Sequence, residues 1–333
     1  MNFLNQFRTV IILVSIFIGV FLGQSELVGA NASMLVEPFL MIMLFGVFLQ
    51  IDLGSLGKAF KNVKFASTAV IFNFVWTPLF AWFLADLFLT GSPDLQVGFL
   101  MLMVTPCTDW YIIFTGAAKG NVSLGAAQLP INLILQIALL PVYLYVFAGS
   151  VVEIDMLTLV KSIVIVLLIP FVAATIFRKL FVLKWGTEKF ENKILIHNDN
   201  MQFLFLNLAI IAMFASQGEL LLKNPGLLLQ MLVPVLIFFA ATFLLGQVVG
   251  RTLQMNYEDT AALNLTTLAR NSPLSLAIAV SAFPESPLIA LALVIGPLIE
   301  LPVLVVISQI LLKIRPGYKP FLFLKKGKVK GKS

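Results

Sequence analysis

Apolar stretches long enough to cross a lipid bilayer recur along the whole chain, and they restrict the fold more than any other feature. A helix rises about 1.5 Å per residue, so a hydrocarbon core of about 30 Å needs about 20 mostly apolar residues. Ten stretches qualify or come close: 8–23, 34–51, 65–88, 95–117, 127–148, 157–177, 200–217, 226–250, 260–283 and 287–312. The loops between them are short and leave no room for a soluble domain. Of 333 residues, 60% are hydrophobic and 11% charged. Soluble domains hold roughly 45–50% apolar and about 25% charged residues, so a water-soluble globule, a disordered chain and a collagen are all excluded. A single cysteine excludes a disulfide scaffold. The sequence predicts an all-α polytopic membrane protein whose surroundings are the lipid bilayer.

The formal charge of +6 would suggest nucleic acid in a soluble protein, but in so apolar a chain the basic residues set orientation instead. Alternate loops and the C-terminal end carry 19 of the 22 Lys and Arg residues. The opposite loops hold only Lys161 and Lys223, together with Glu26, Glu37, Asp94, Glu153, Asp155, Glu219 and Glu285. The positive-inside rule therefore places both termini in the cytoplasm and predicts an even number of spans in the cell membrane. Arg8, the apolar run 10–22 and Ala30-Asn31-Ala32 also fit a cleavable signal peptide, which would leave nine spans. The basic end of the chain is read as a cytoplasmic anchor, or as a grip on anionic lipid.

The prolines divide the chain. Thr105-Pro106 lies within the fourth stretch and Ser272-Pro273 within the ninth, while Pro130 and Pro297 follow each by 24 residues, so both pairs share an offset of 167. With five spans in each half, the second half enters the membrane inverted relative to the first, the plan of many secondary transporters. The expected organisation is a first five-helix repeat over 1–150, an inverted repeat over 151–315 and a basic tail over 316–333. Proline interrupts a helix, yet it is favoured at the first position of a new one, with Ser or Thr before it as N-cap. Each pair thus marks either the start of a second half-helix at the membrane midplane or a kink in a continuous helix.

Ionisable groups inside spans are costly and are candidates for function. Cys107 and Asp109 follow the first break, Arg270 and Asn271 lie at the second, and Glu300 sits within the tenth stretch. Cys107 is either an inert buried thiol or a thiolate favoured by a helix start. Asp109 either complements a helix dipole, pairs with Arg270, or handles substrate or protons. Glu300 suits a proton carrier or a partner for Arg270. Asn132, Gln136, Asn264 and Thr267 read as interhelical glue, Asn73 and Trp76 as packing, and His197 as a solvated residue of a long basic cytoplasmic loop. No nucleotide loop, metal-ligand cluster, nucleophile elbow or haem site is recognisable. Neither an enzyme nor a primary pump is expected, nor any cofactor or fixed metal.

The string Thr105-Pro106-Cys107-Thr108 with Ala118-Lys119-Gly120-Asn121, together with Ala269-Arg270-Asn271-Ser272 and Gly296-Pro297-Leu298-Ile299-Glu300, is similar to the bile acid:sodium symporter superfamily. The Pro-Cys, Ala-Arg-Asn and Gly-Pro-Leu-Ile-Glu strings look most like its arsenical-resistance (arsenite permease) branch. The resemblance implies a core bundle with crossed, broken helices and a second panel bundle. It also departs from the superfamily at identifiable places. Sodium-coupled members carry a Ser-Asn pair where this chain has Tyr111 and Ile112, and a Glu where it has Thr266. The arsenite branch typically has a Glu shortly after Ala-Arg-Asn, where Pro273, Leu274 and Ser275 stand. What the resemblance implies is a secondary transporter exporting arsenite or a similar thiol-reactive species against protons, with Cys107 as a transient arsenic ligand. Thr105, Thr108, Asp109, Arg270, Asn271, Ser272 and Glu300 would complete the site around the breaks at Pro106, Pro273 and Pro297. The competing readings are an organic-anion transporter on the same scaffold and a non-transporting sensor or scaffold.

Overall fold

The computed structural model describes residues 3–50, 62–107, 110–149, 156–223 and 226–320. Helices account for almost all of them, and no strand forms among the described residues. In chain order, α1 is Phe3–Gly23, α2 is Glu26–Gln50, and α3 runs from Val63–Ile71 through a π turn at Phe72–Trp76 into Thr77–Phe88. Two short helices follow, α4 (Pro93–Val104) and α5 (Trp110–Ala117), and then α6 (Val122–Tyr143). Helix α7 joins Met156–Ile163 through a π turn to Ile169–Trp185, and α8 is Ile196–Lys223. The remainder comprises α9 (Gly226–Thr252), α10 (Tyr257–Leu268), α11 (Ser272–Ala282) and α12 (Pro287–Ile314). Among the described residues, seven helical runs are long and apolar enough to span a membrane, and α4, α11 and the Val10–Gly23 part of α1 are shorter apolar helices. The chain is a multi-pass membrane protein.

Close backbone approach, rather than apolar area, joins these helices, because lipid is as apolar as leucine and offers no hydrophobic gain on association. Helix α8 lies along α1 and α2. A Cβ on Gly19 would stand 2.7 Å from the Ile211 carbonyl, and Gly46 accepts a 2.7 Å bond from Asn198 Nδ2. Gly246 and Gly250 of α9 likewise meet Asn264 and Thr260 of α10. Helices α4 and α12 interlock reciprocally. A Cβ on Gly98 would lie 2.6 Å from Ala292 Cβ, and one on Gly296 would lie 2.7 Å from Leu102 Cδ1. Gly98→Ala should therefore cost about 1–3 kcal/mol, as overpacking does. Thermal unfolding in detergent reads this as a lowered midpoint, and an unchanged midpoint would show that α4 and α12 can part freely.

Proline also explains the π turn in α3. Pro78 has no N–H to give the carbonyl four residues back, at Phe74. The Tyr143 hydroxyl takes that acceptor at 2.7 Å, tying α6 to α3. One expectation is corrected. The basic stretch read as a loop is helical: α7 continues to Trp185, and Thr187–Phe190 and a π turn at Glu191–Leu195 lead directly into α8. His197 is exposed, but on the first turn of α8 rather than in a loop.

Candidate functional site

Helices α4 and α10 are each 12 residues long and end at Val104 and Leu268, just ahead of the two proline pairs. At about 1.5 Å per residue each spans about 18 Å, roughly half a bilayer. Beyond them the chain is extended, and the two extended segments pair. Cys107 N–H donates to the Ala269 carbonyl at 2.9 Å, and Asn271 N–H donates to the Thr105 carbonyl at 2.7 Å, an antiparallel bridge centred on Pro106 and Arg270. Unpaired backbone groups are untenable inside a membrane, and here each break supplies the partners of the other. The Thr105 and Ser275 hydroxyls stand 2.7 Å apart, and each also reaches the Met101 carbonyl at 2.9 Å. Both breaks therefore interrupt their helices rather than kink them.

The caps differ from expectation. Asn271, not Ser272, caps α11, its side-chain oxygen accepting from Leu274 N–H at 3.3 Å. Ser272 begins the helix, and among the described residues its buried hydroxyl has no hydrogen-bond partner. Thr105 turns back to the end of α4 rather than forward. Thr108 and Asp109 lie outside the described residues.

Arg270 is 1% exposed, and its guanidinium is enclosed by oxygen atoms. Nε donates to the Leu268 carbonyl at 3.0 Å, Nη1 to the Met103 carbonyl at 2.8 Å, and Nη2 to the Thr267 carbonyl and, at 3.2 Å, to Asn73 Oδ1. Met103 belongs to the last turn of α4, and Thr267 and Leu268 to the last turn of α10. One side chain thus serves the orphan carbonyls of both half-helices. Each helix end carries about −0.5 charge, so both ends favour a cation between them. The Phe238 ring covers the group, with its centroid 5.5 Å from the Arg270 Cζ. Arg270 and Glu300 do meet, but through the main chain: Glu300 Oε1 accepts Arg270 N–H at 2.8 Å, and Glu300 is buried.

Asn73 was read as packing, and the structure overturns that. Fully buried on the π turn of α3, it accepts from Arg270 and donates to the Thr266 carbonyl at 3.3 Å and to Asn132 Oδ1 at 3.5 Å. Gln128 and Thr266 extend the network through Asn132. Asn132 is interhelical glue as expected. Asn264 and Thr267 instead bond within their own helix, and neither side-chain amide atom of Gln136 has a partner among the described residues.

Cys107 is buried, and among the described residues no group of three His, Cys, Asp or Glu could hold a metal ion. Beside the crossing lies a cavity of about 150 Å³ between α2 and α8 on one side and α5 and α11 on the other. Asn271, Pro273, Trp110 and Ile112 line its crossing side, with Gln50, Asp199 and Gln202 opposite. Gln50 Nε2 donates to Asp199 Oδ1. Pro297, by contrast, lies inside α12, which continues unbroken past it.

The sequence pattern described as the Sodium Bile acid symporter family matches residues 37–224, more than half of the chain. The chain belongs to that family. The pattern covers the first break, and longer similarities extend through the second. The arsenical-resistance protein Acr3 of Corynebacterium glutamicum is 24% identical, covering 96% of this chain and 91% of its own length. Acr3 of Alkaliphilus metalliredigens is 26% identical over 93% of this chain and 92% of its own length. An uncharacterized transporter of Synechocystis is 27% identical over 93% of this chain and 88% of its own. The chain is thus a member of a transporter family rather than of an enzyme family. Of the residues at which the sequence departs from the sodium-coupled pattern, Tyr111 donates to the Gly125 carbonyl at 2.9 Å, Ile112 lines the cavity, and Thr266 joins the amide network.

Proposed function

We propose that this protein is a proton-coupled secondary transporter that exports arsenite or a similarly small, thiol-reactive hydroxide across the cell membrane. The observation that carries the reading is the place of Cys107. The main chain of Cys107, the chain's one thiol, is bonded into the crossing of two broken helices, and Asn271 and Pro273 of that crossing line a cavity. Trivalent arsenic is soft and prefers thiolate, and one thiolate holds it weakly enough to release it. A cavity of about 150 Å³ admits a species of a few heavy atoms. The Acr3 relatives point to the same substrate class. In this reading the chain forms ten spans as two inverted five-helix repeats, 1–150 and 151–315, with a basic tail at 316–333 and both termini in the cytoplasm. Thr105, Thr108, Asn271 and Ser272 shape the substrate's surroundings, while Asp109 or Glu300 carries the counter-proton.

Two assays test this. Expression should restore growth of an arsenite-sensitive host, and failure to do so with protein in the membrane would reject the substrate. In sealed vesicles, arsenite movement should follow an imposed pH gradient. Ile112 offers no oxygen to a hard cation, so a sodium gradient alone should drive nothing. Strict sodium dependence would reject the proton coupling.

A further inference from the structure

The acceptors around Arg270 have a consequence that does not depend on the substrate. The guanidinium bonds three main-chain carbonyls and the Asn73 side-chain oxygen, all of them uncharged, at the convergence of two negative helix ends. Carbonyl oxygens gathered in this way are the ligand set of a monovalent cation, and the Phe238 face adds the cation attraction of an aromatic ring. Each acceptor is held by something other than Arg270. Met103, Thr267 and Leu268 are fixed by their helices, and Asn73 by its bonds to Asn132 and the Thr266 carbonyl. The cage is therefore built into the scaffold, and the charge inside it arrives on a side chain.

We infer that Arg270 is a tethered cation seated in a preformed oxygen cage, and that this cage binds a free monovalent cation once the side chain is removed. The fixed charge makes Arg270 a positioning residue. It holds the ends of α4 and α10 together, and with them the extended segments that carry Cys107 and Asn271. A covalently supplied ion is never exchanged, so the crossing stays assembled through the transport cycle.

Three variants test this by thermal unfolding and by arsenite exchange in vesicles. Arg270→Ala empties the cage, Arg270→Met fills it with an apolar chain, and Arg270→Lys keeps a charge in it. Without added cation, exchange by Arg270→Ala should fall about a hundredfold, the scale expected when several buried acceptors lose their donors. Millimolar guanidinium should raise its unfolding temperature and restore exchange by about tenfold or more, with no such effect on wild type or Arg270→Met. Sodium or potassium acting in place of guanidinium would equally support the cage. An equal response to choline, or identical behaviour of Arg270→Ala and Arg270→Met, would overturn it. Where Arg270→Ala fails to accumulate, Arg270→Lys should still exceed Arg270→Met in exchange, and equality of those two would overturn the inference. Wild type that moves no arsenite would reject the proposed substrate, while the unfolding measurements would still decide the cage.

Discussion

Cys107→Ser is expected to abolish arsenite export and leave the fold standing. The bridge at the crossing is made by the main chain of residue 107, whose N–H meets the Ala269 carbonyl, and serine supplies the same N–H. The side chain is 1% exposed, and serine is close to it in volume, so packing is nearly conserved. The change falls on chemistry: a hydroxyl is a hard, feebly acidic group that offers soft trivalent arsenic little. A loss of about a hundredfold or more in the initial rate, roughly 3 kcal/mol, is the expected scale. Growth of an arsenite-sensitive host and efflux from vesicles both report it. Full resistance in the serine variant, at normal abundance, would remove the thiol from the mechanism.

The second large effect is expected at Glu300, and its two substitutions divide structure from coupling. Glu300 Oε1 accepts the Arg270 N–H at 2.8 Å. A glutamine oxygen can accept the same bond, so Glu300→Gln should fold normally and exchange arsenite down its gradient. If the carboxylate is the proton carrier, that variant loses only accumulation driven by the pH gradient. Glu300→Ala removes the acceptor and leaves a buried N–H unpaired, which costs about 1–3 kcal/mol and lowers the unfolding temperature. Normal pH-driven accumulation by Glu300→Gln would confine Glu300 to holding the second break in place.

The two breaks were legible because proline acts through its own chemistry. Pro106 and Pro273 deny an N–H wherever they stand, and their shared spacing with Pro130 and Pro297 exposed a pattern. What surrounds them was less legible. Arg270 invites a search for acidic partners, yet its described side-chain bonds go to three carbonyls and one amide. Carbonyls are present at every residue and leave no trace in the side-chain sequence. Asn73 failed to stand out for a related reason. It sits in the apolar run Phe72–Trp76, and its meaning arises only when α3, α6 and α10 are packed together. The stretch between Phe177 and Met201 misled in the opposite direction. Its charges read as a loop, but helices continue past the bilayer edge when water can solvate their outer turns. Asn271 stands out in the sequence by its place at the second break, whereas its clearest structural task is to cap α11.

The pairing between the two extended segments also bears on how the protein is made. Met103, Thr105 and Cys107 reach the membrane early in synthesis, each with a main-chain group whose partner lies at residues 269–271. At roughly 5–20 residues per second, those partners emerge roughly 8–30 s later. Through that interval the first half of the chain must hold its interrupted helix in hydrocarbon with the ladder half-built, relying on water or the insertion machinery to serve the waiting groups. The crossing is therefore one of the last parts of the molecule to become stable. Truncation after the first half would leave a membrane segment that quality-control proteases can recognise by its unsatisfied backbone.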